Sequence, residues 1–342
     1  MFLGIEIGGT KLQLGVSDGR SPHLVAIERR DVDARRGSAG ILENIEAVGT
    51  AMLQRHKLKG IGIGFGGPVN SATGIVTKSH QIEGWDDFPL VRWCQESLNL
   101  PAVMGNDCDV AALAEAKFGA GRGSQNLLYV TVGTGVGGGL VLNGKVHGSG
   151  RPAVAEIGHL RPGLHDDRPE MTVESHCSGW GIAATALARI SGEVSRRLEV
   201  LSEGVTPAHR QQILQRMTLV AETEREYIAD LLQRCEQDPE RLTAKIIAQA
   251  AQDGNDIARD VYAHATQVLG WAIAQTITLV APEVVVVGGG VSLAGEQLFF
   301  EPLQQQIEKY VFPALRDSYR VVPAELGELT VVHGALALAA AH

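Results

Sequence analysis

The sequence predicts an α/β protein of about two domains whose opening plans are related. Three observations carry this. The chain has 342 residues, more than one ordinary domain needs. Strand-like apolar segments alternate with segments of helical periodicity. The opening plan of strand, glycine turn, strand and tight Gly-containing turn returns after residue 126, a weak internal repeat of supersecondary structure. With 44% hydrophobic and 20% charged residues, the composition is globular rather than disordered.

The elements follow in order. Phe2 to Ile7 is an apolar strand stopping at Gly8-Gly9, and Lys11 to Val16 is a second, closed by Asp18-Gly19. Two strands about a glycine turn make a hairpin. Ile41, Ile45, Val48, Met52 and Leu53 recur at helical spacing over 41 to 57. Gly60 to Phe65 is a short buried strand that ends at Gly66-Gly67-Pro68. Leu100 to Met104 is another; it stops at Gly105-Asn106-Asp107 and hands over to a helix with Val110, Leu113, Ala114 and Phe118 on one face. Gly119 to Asn126 is small, polar and suited to a domain boundary. Then come a strand at Leu127 to Val132, a glycine run at Gly133 to Gly139, a strand at Leu140 to Leu142 and a tight turn at Asn143-Gly144.

Residues 180 to 281 read as mainly helical, with Ile213, Met217, Val220, Tyr227 and Leu231 near the 3.6-residue period. Asp238-Pro239 starts a helix, Asp253-Gly254 breaks it, and the next one stops at Ala281-Pro282. Glu283 to Val287 is a β-branched strand ending in Gly288-Gly289-Gly290, with a helix from about Ser292. The chain closes on a helix around Gly334-Ala335-Leu336-Ala337, whose small residues permit close packing.

Charge and cysteines exclude several classes. A net charge of -9, without a dense Lys/Arg cluster, argues against unaided nucleic-acid binding. The four cysteines are widely spaced with no C-x-x-C pair, which fits a reducing compartment rather than a disulfide framework. No stretch reaches 18 apolar residues, and the N-terminus lacks a secretory pattern. The expectation is a soluble cytoplasmic protein that is not bound to a membrane.

Three glycine groups approach a loose G-x-G-x-x-G pattern: Gly62/Gly64/Gly67, Gly133/Gly135/Gly138 and the Gly288 triplet. A dinucleotide site needs strand, glycine turn and then helix, and the first two groups fail that test. A hairpin glycine turn offers a different phosphate site, because backbone N–H groups without neighbouring Cβ atoms can form a concave nest. Gly8-Gly9-Thr10-Lys11 adds a hydroxyl and an ammonium, and Thr131-Val132-Gly133-Thr134-Gly135 adds two hydroxyls. Two such turns from repeated halves would clasp a polyphosphate, while Gly288-Gly289-Gly290 takes the nucleoside end. The alternative is that these glycines only shape turns.

The carboxylates each admit two roles. Asp107, at a strand end before a helix, is either an N-cap or a general base toward a hydroxyl. Glu156 three residues before His159 favours a polar pocket, although a single His is often structural. Glu174 is either a helix-capping acid or part of a site. Glu6 lies inside an apolar strand, where an unpaired carboxylate is costly, so it needs donors or a cation nearby. Near phosphates it is a magnesium candidate, directly or through water.

Taken in order, these motifs resemble the ROK family of sugar kinases in the actin/hexokinase superfamily. Ile5-Glu6-Ile7-Gly8-Gly9-Thr10-Lys11 resembles the first phosphate loop. Gly62-Ile63-Gly64-Phe65-Gly66-Gly67-Pro68-Val69 resembles the sugar-domain loop, and Gly105-Asn106-Asp107 the segment with the sugar-binding Asn and catalytic Asp. Gly133 to Gly139 followed by Glu156-Ile157-Gly158-His159 resembles the signature, and Val286-Val287-Gly288-Gly289-Gly290 and Gly334-Ala335 also match.

The resemblance implies two actin-like (ribonuclease H-like) domains around an interdomain cleft. The smaller would be residues 1–118 with about 326–342, and the larger 119–325 with a helical insertion at about 190–250. It implies ATP-dependent phosphorylation of a hexose or N-acetylhexosamine, with magnesium. Asp107 would be the base; Gly67, Asn106, Glu156, His159 and Glu174 would meet the sugar. Gly8, Gly9, Thr10, Lys11, Gly133, Thr134, Gly135, Gly288, Gly289 and Gly290 would hold ATP, with Glu6 serving magnesium. A homodimer is among the states the family implies.

Four departures stand out. Glu6 replaces the usual Asp, Ala155 the usual Gly before Glu156, and Gln81 an Asn before Trp85. The cysteine run that supplies zinc ligands in many members is missing: His165, Asp166, Asp167 and Thr172 occupy the region. No structural zinc is expected, so another group must orient His159. The repressors of the family carry a helix-turn-helix segment before the first phosphate loop, which here begins within ten residues. The competing readings are a sugar-sensing binding protein without catalysis and, on the glycine patterns alone, a nicotinamide oxidoreductase.

Overall fold

The computed structural model describes residues 1–79, 82–148, 151, 153–163, 168–191 and 223–342. Gln81, His165, Asp166, Asp167, Ile213, Met217, Val220 and much of the expected helical insertion lie outside these residues. Two five-stranded sheets form the frame. The first contains β1 (Phe2–Ile7), β2 (Lys11–Ser17), β3 (Ala26–Asp31), β4 (Ile61–Phe65) and β7 (Ala102–Asn106), in the order β3-β2-β1-β4-β7. The second contains β8 (Leu127–Val132), β9 (Val136–Leu142), β10 (Lys145–Val146), β11 (Val284–Gly288) and β12 (Arg320–Pro323), in the order β10-β9-β8-β11-β12.

In each sheet a three-stranded antiparallel meander is followed by two parallel strands, so the expected repeat extends to every strand sense. The short pair β5 (Val69–Asn70) and β6 (Ile75–Val76) lies apart. Sequence periodicity misses β3, β12 and the helix α2 (Leu90–Leu98). β3 and β12 are edge strands with exposed positions and little apolar alternation.

Helix α1 (Gly37–Arg55) covers the first sheet, burying Ile41, Ile45, Val48 and Met52. Two further helices fill the space between the sheets. α10 (Thr330–Ala341) packs on β1 and β4, and α3 (Asp107–Phe118) packs on α10 and also on β8 and β9. The approach is so close that glycine is required. A Cβ on Gly62 would lie 1.8 Å from the Ala335 carbonyl oxygen, and one on Gly334 would lie 1.8 Å from the Val110 oxygen. A Cβ on Gly139 would lie 2.2 Å from the Cys108 oxygen.

Gly62 and Gly64 are therefore strand residues that admit a helix, not parts of a loop. Likewise Gly137, Gly138 and Gly139 belong to β9, which begins at Val136 rather than Leu140. Because α3 has a neighbour on both sides, it buries Ala111, Ala112 and Glu115 as well as the predicted face. The Glu115 carboxylate accepts the backbone N–H groups of Ala120, Glu325 and Leu326, tying the chain that leads into α10.

The second core is mainly helical. α4 (Val173–Cys177), α5 (Gly179–Ile190), α6 (223–234), α7 (Ala244–Gln252), α8 (Asp256–Val280) and α9 (Glu301–Tyr310) cover the second sheet. Asp238-Pro239 opens a single 3-10 turn, and α7 itself starts after the cap Thr243. The helix expected from Ser292 is a 3-10 turn (Ser292–Ala294) and a widened π turn (Glu296–Phe300), separated by Gly295 at φ 91°; α9 begins only at Glu301. No helix among the described residues is long and apolar enough to cross a membrane.

Candidate active site

The site lies where the loops after β1, β4 and β7 meet. Asn106 ends β7, and its side-chain oxygen accepts the Cys108 and Asp109 N–H groups, so Asn106 caps α3. Asp107 is thus the first helical residue rather than the cap. The Asn106 amide donates to the Gly67 oxygen at 3.0 Å, which ties the loop after β4 to the start of α3.

Asp107 Oδ1 accepts the N–H of its neighbour Cys108 at 2.9 Å. Its other oxygen would lie 3.5 Å from a Cβ built on Gly66, and Gly8 Cα is 3.6 Å from the same point. Asp107 therefore stands beside the first glycine turn. Burial, reinforced by the charges of Glu6 and Glu156, pushes its carboxyl up to about 6. The value is suited to a base that must be ionised near neutrality. Sequence reading overlooked Asp109, one position beyond Cys108. Its Oδ1 is buried without a partner, and burial with the Asp107 and Glu156 charges raises it to about 7.

In the first turn, Gly8 donates its N–H to the Lys11 oxygen. Glu6 is buried, with Lys11 Nζ 3.1 Å from one oxygen and Gln13 Nε2 2.8 Å from the other. Lys11 and Gln13 also both donate to the Glu328 carbonyl. Burial raises the Glu6 carboxyl even though Lys11 and Gln13 pull it down. Gln13 and Glu328 were missed. The Gln13 contact was recoverable, because Gln13 stands directly opposite Glu6 in the hairpin register.

In the second turn, Gly133 donates to the Gly135 oxygen. Gly8 and Gly133 thus use their own N–H groups inside the turns. Among the described residues, those of Gly9, Thr10, Thr134 and Gly135 have no partner and remain for an anion. Gly289, at φ 90°, lies against the Val132 backbone, while Gly133 and Gly290 face open space in which a Cβ would touch nothing within 4 Å. These open glycines leave room in which a ligand could sit. They do not open a regular helix, because the chain after Gly290 makes only the 3-10 turn.

Glu174 lies in the first turn of α4, whose cap is Thr172, and its Oε2 accepts the Val136 N–H at 2.9 Å. Glu156 is 46% exposed, and the burial of the remainder raises its carboxyl, with His159 pulling it down and Glu174 pushing it up. His159 Nδ1 is 3.6 Å from Glu156, and the imidazole is 71% exposed. Among the described residues no group of three or more His, Cys, Asp or Glu is arranged to hold a metal ion.

The fold and the site define a class, and comparison with known proteins names it. The ROK family profile matches residues 2–342. A glucokinase of Halalkalibacterium halodurans is 32% identical over 331 residues, covering 95% of this chain and 91% of that protein. A glucokinase of Thermotoga maritima is 27% identical over 341 residues, covering 98% and 96%. The crystal structure of a ROK family glucokinase from Streptomyces griseus, in complex with glucose and AMPPNP, superposes with a TM-score of 0.76 at 26% identity, covering 100% of this chain and 99% of that one. The two-domain actin-like fold is the one these sugar kinases share. The chain belongs to the ROK family.

Proposed function

We propose that the protein transfers the γ-phosphoryl group of ATP to a hydroxyl of a hexose, glucose first among candidates and N-acetylhexosamines next. The observation that carries this is the position of Asp107: an acid raised to about 6, beside Gly8 and Gly66 and within the field of Glu156. The glucokinase names of the relatives support a glucose-type acceptor, and the AMPPNP complex supports ATP as donor.

Asp107 accepts the hydroxyl proton as the sugar oxygen attacks the γ-phosphorus. The bond from phosphorus to the β-bridging oxygen breaks, and ADP leaves. Glu156, Glu174, Asn106, Gly67 and His159 bind the sugar. The Gly8-Gly9-Thr10-Lys11 and Gly133-Thr134-Gly135 turns hold the phosphates, and Gly288-Gly289-Gly290 borders the nucleoside. Both oxygens of Glu6 already carry a donor, so Glu6 would meet a magnesium ion through water. When bound, magnesium supplies charge neutralisation on the phosphates. Residues 1–118 with about 326–342 form one lobe and 119–325 the other, closing to exclude water.

The test is ADP release over a panel of hexoses and N-acetylhexosamines. Asp107→Asn is expected to lose about 10²-fold or more in turnover while still binding sugar. Wild-type activity should fall on the acid side below about pH 6, as the base gains its proton. Unchanged turnover in Asp107→Asn would remove the assigned base.

A further inference from the structure

The second glycine turn is held from outside, at both ends, by one corner of the chain. At its start the Gly133 oxygen accepts the N–H of Gly179, the first residue of α5, at 2.8 Å. At its end the Val136 N–H donates to Glu174 Oε2 at 2.9 Å. The fit leaves no slack, because a Cβ on Gly135 would lie 2.6 Å from that same oxygen.

The corner is firmly set. Thr172 and Ser175 cap one another reciprocally at the N-terminus of α4. The Val173 N–H donates to the Leu160 oxygen at 2.8 Å. At the other end Cys177 Sγ donates to the Ala265 oxygen of α8, and the His176 and His264 rings meet at 3.0 Å. Protein hydrogen bonds thus anchor this helix at the place where the family resemblance would put cysteines.

Glu174 therefore has two faces. Oε2 is committed to the turn. Oε1 accepts no hydrogen bond among the described residues and remains for a sugar hydroxyl. A ligand that draws on one oxygen moves or steadies the other, because the carboxylate is a single rigid plane.

We propose that Glu174 is a positioning residue for the phosphate turn as well as a sugar contact, so that it couples the two substrate sites: sugar and nucleotide each bind more tightly when the other is present. This rests on the reading above that the nucleotide lies on this turn and the sugar at Glu174. Coupling of this kind is reciprocal by thermodynamic necessity.

The experiment is calorimetry of D-glucose and of AMPPNP with magnesium, each alone and with the other saturating. Wild type is expected to show about five-fold or greater mutual tightening. In Glu174→Ala, AMPPNP measured without sugar is expected to bind about ten-fold more weakly, the worth of a charge-assisted hydrogen bond, and the mutual tightening should vanish. Glu174→Gln keeps an acceptor for the Val136 N–H and is expected to recover nucleotide affinity to within about two-fold while sugar affinity stays reduced. Gly135→Ala pushes the carboxylate aside and is expected to weaken glucose, although the change lies in the phosphate turn.

Amide hydrogen exchange provides a ligand-free check. Val136 should be protected in wild type and Glu174→Gln and exposed in Glu174→Ala, with protection elsewhere reporting an intact fold. Unchanged sugar-free nucleotide affinity in Glu174→Ala, or unchanged Val136 exchange, would overturn the inference while leaving the kinase reading standing. A wild type that binds neither ligand would overturn both.

Discussion

The two halves share a strand order and a hairpin turn, yet they hold their turns by opposite means. The first turn is held by charge: Lys11 bridges Glu6 and the Glu328 carbonyl, and Gln13 braces the other Glu6 oxygen. The second has no charged residue of its own. It is held by its backbone, by Gly179 and by one carboxylate reaching in from α4, with Gly133 facing open space. A duplicated scaffold has therefore diverged in chemistry rather than shape. The first turn presents an ammonium already paired with a carboxylate, which under the proposed function would exchange it for a phosphate. The second presents a prebuilt backbone surface whose geometry another site can adjust.

The strongest way to break this comparison is at the contacts that join the halves. Gly62→Ala would drive a methyl into the Ala335 carbonyl of α10, and Gly139→Ala would drive one into the Cys108 carbonyl of α3. Each is expected to cost about 3 kcal/mol or more in denaturant unfolding, because the obstacle is backbone and cannot rotate away. If Gly139→Ala is tolerated and Gly62→Ala is not, α3 can lift from the second sheet, and the two halves are not equally fixed to the helices between them.

Next in size is the charge holding the first turn. Lys11→Met leaves Glu6 buried with Gln13 as its remaining donor, and is expected to cost about 2 kcal/mol. Adding Glu6→Gln should return most of that loss, since the uncompensated charge is then gone. A double variant no more stable than Lys11→Met would show that Lys11 contributes through its contact with Glu328 and not through Glu6.

The repeat, the two turns and Asp107 were legible because glycine runs and polar residues at strand ends are local signals. The role of the glycines was less so. Gly62 and Gly64 were legible as strand residues but not as the places where α10 comes close, and Gly137 to Gly139 read as a glycine run although they are strand positions packed against Cys108 and Ala155. Edge strands β3 and β12 bury too little to leave a period-2 pattern. Asn106 and Asp107 compete for the same cap, and only the strand's end at Asn106 decides between them. The bridge from Glu174 to Val136 spans 38 residues and has no sequence signature.

Asp107 places a smaller stability cost in the first half. Its folded carboxyl is raised to about 6 from 3.8, so the folded protein keeps that proton over a window where the unfolded chain has lost it. The contribution is full below pH 3.8, is lost as pH rises toward 6, and stays lost at pH 7. Asp107→Asn is therefore expected to be more stable than wild type at pH 7 by about 1–2 kcal/mol, allowing for partial exposure, with the two converging near pH 4. Thermal unfolding at both pH values checks this. An Asn variant that is no more stable at pH 7 would mean that burial does not burden this acid.

The smallest effect concerns the second half, where backbone strain is found beside Glu156, the acid proposed to meet the sugar. Ala155 adopts φ 56°, a left-handed conformation that suits glycine, immediately before Glu156. Its carbonyl lies close against Gly138, where a Cβ would come within 2.3 Å of it, so the segment is packed tightly on β9. Ala155→Gly removes a steric penalty of about 1 kcal/mol but adds chain entropy to the unfolded state, so a net gain of about 0.5 kcal/mol is expected in thermal unfolding. The kinetic readout carries more information than the stability. If the alanine serves to fix the direction of Glu156, the glycine variant should melt higher and yet show a raised KM for sugar with KM for ATP unchanged. If KM for sugar does not move, the methyl is strain without function, and the placement of Glu156 comes from the packing of residues 155–158 on β9 alone.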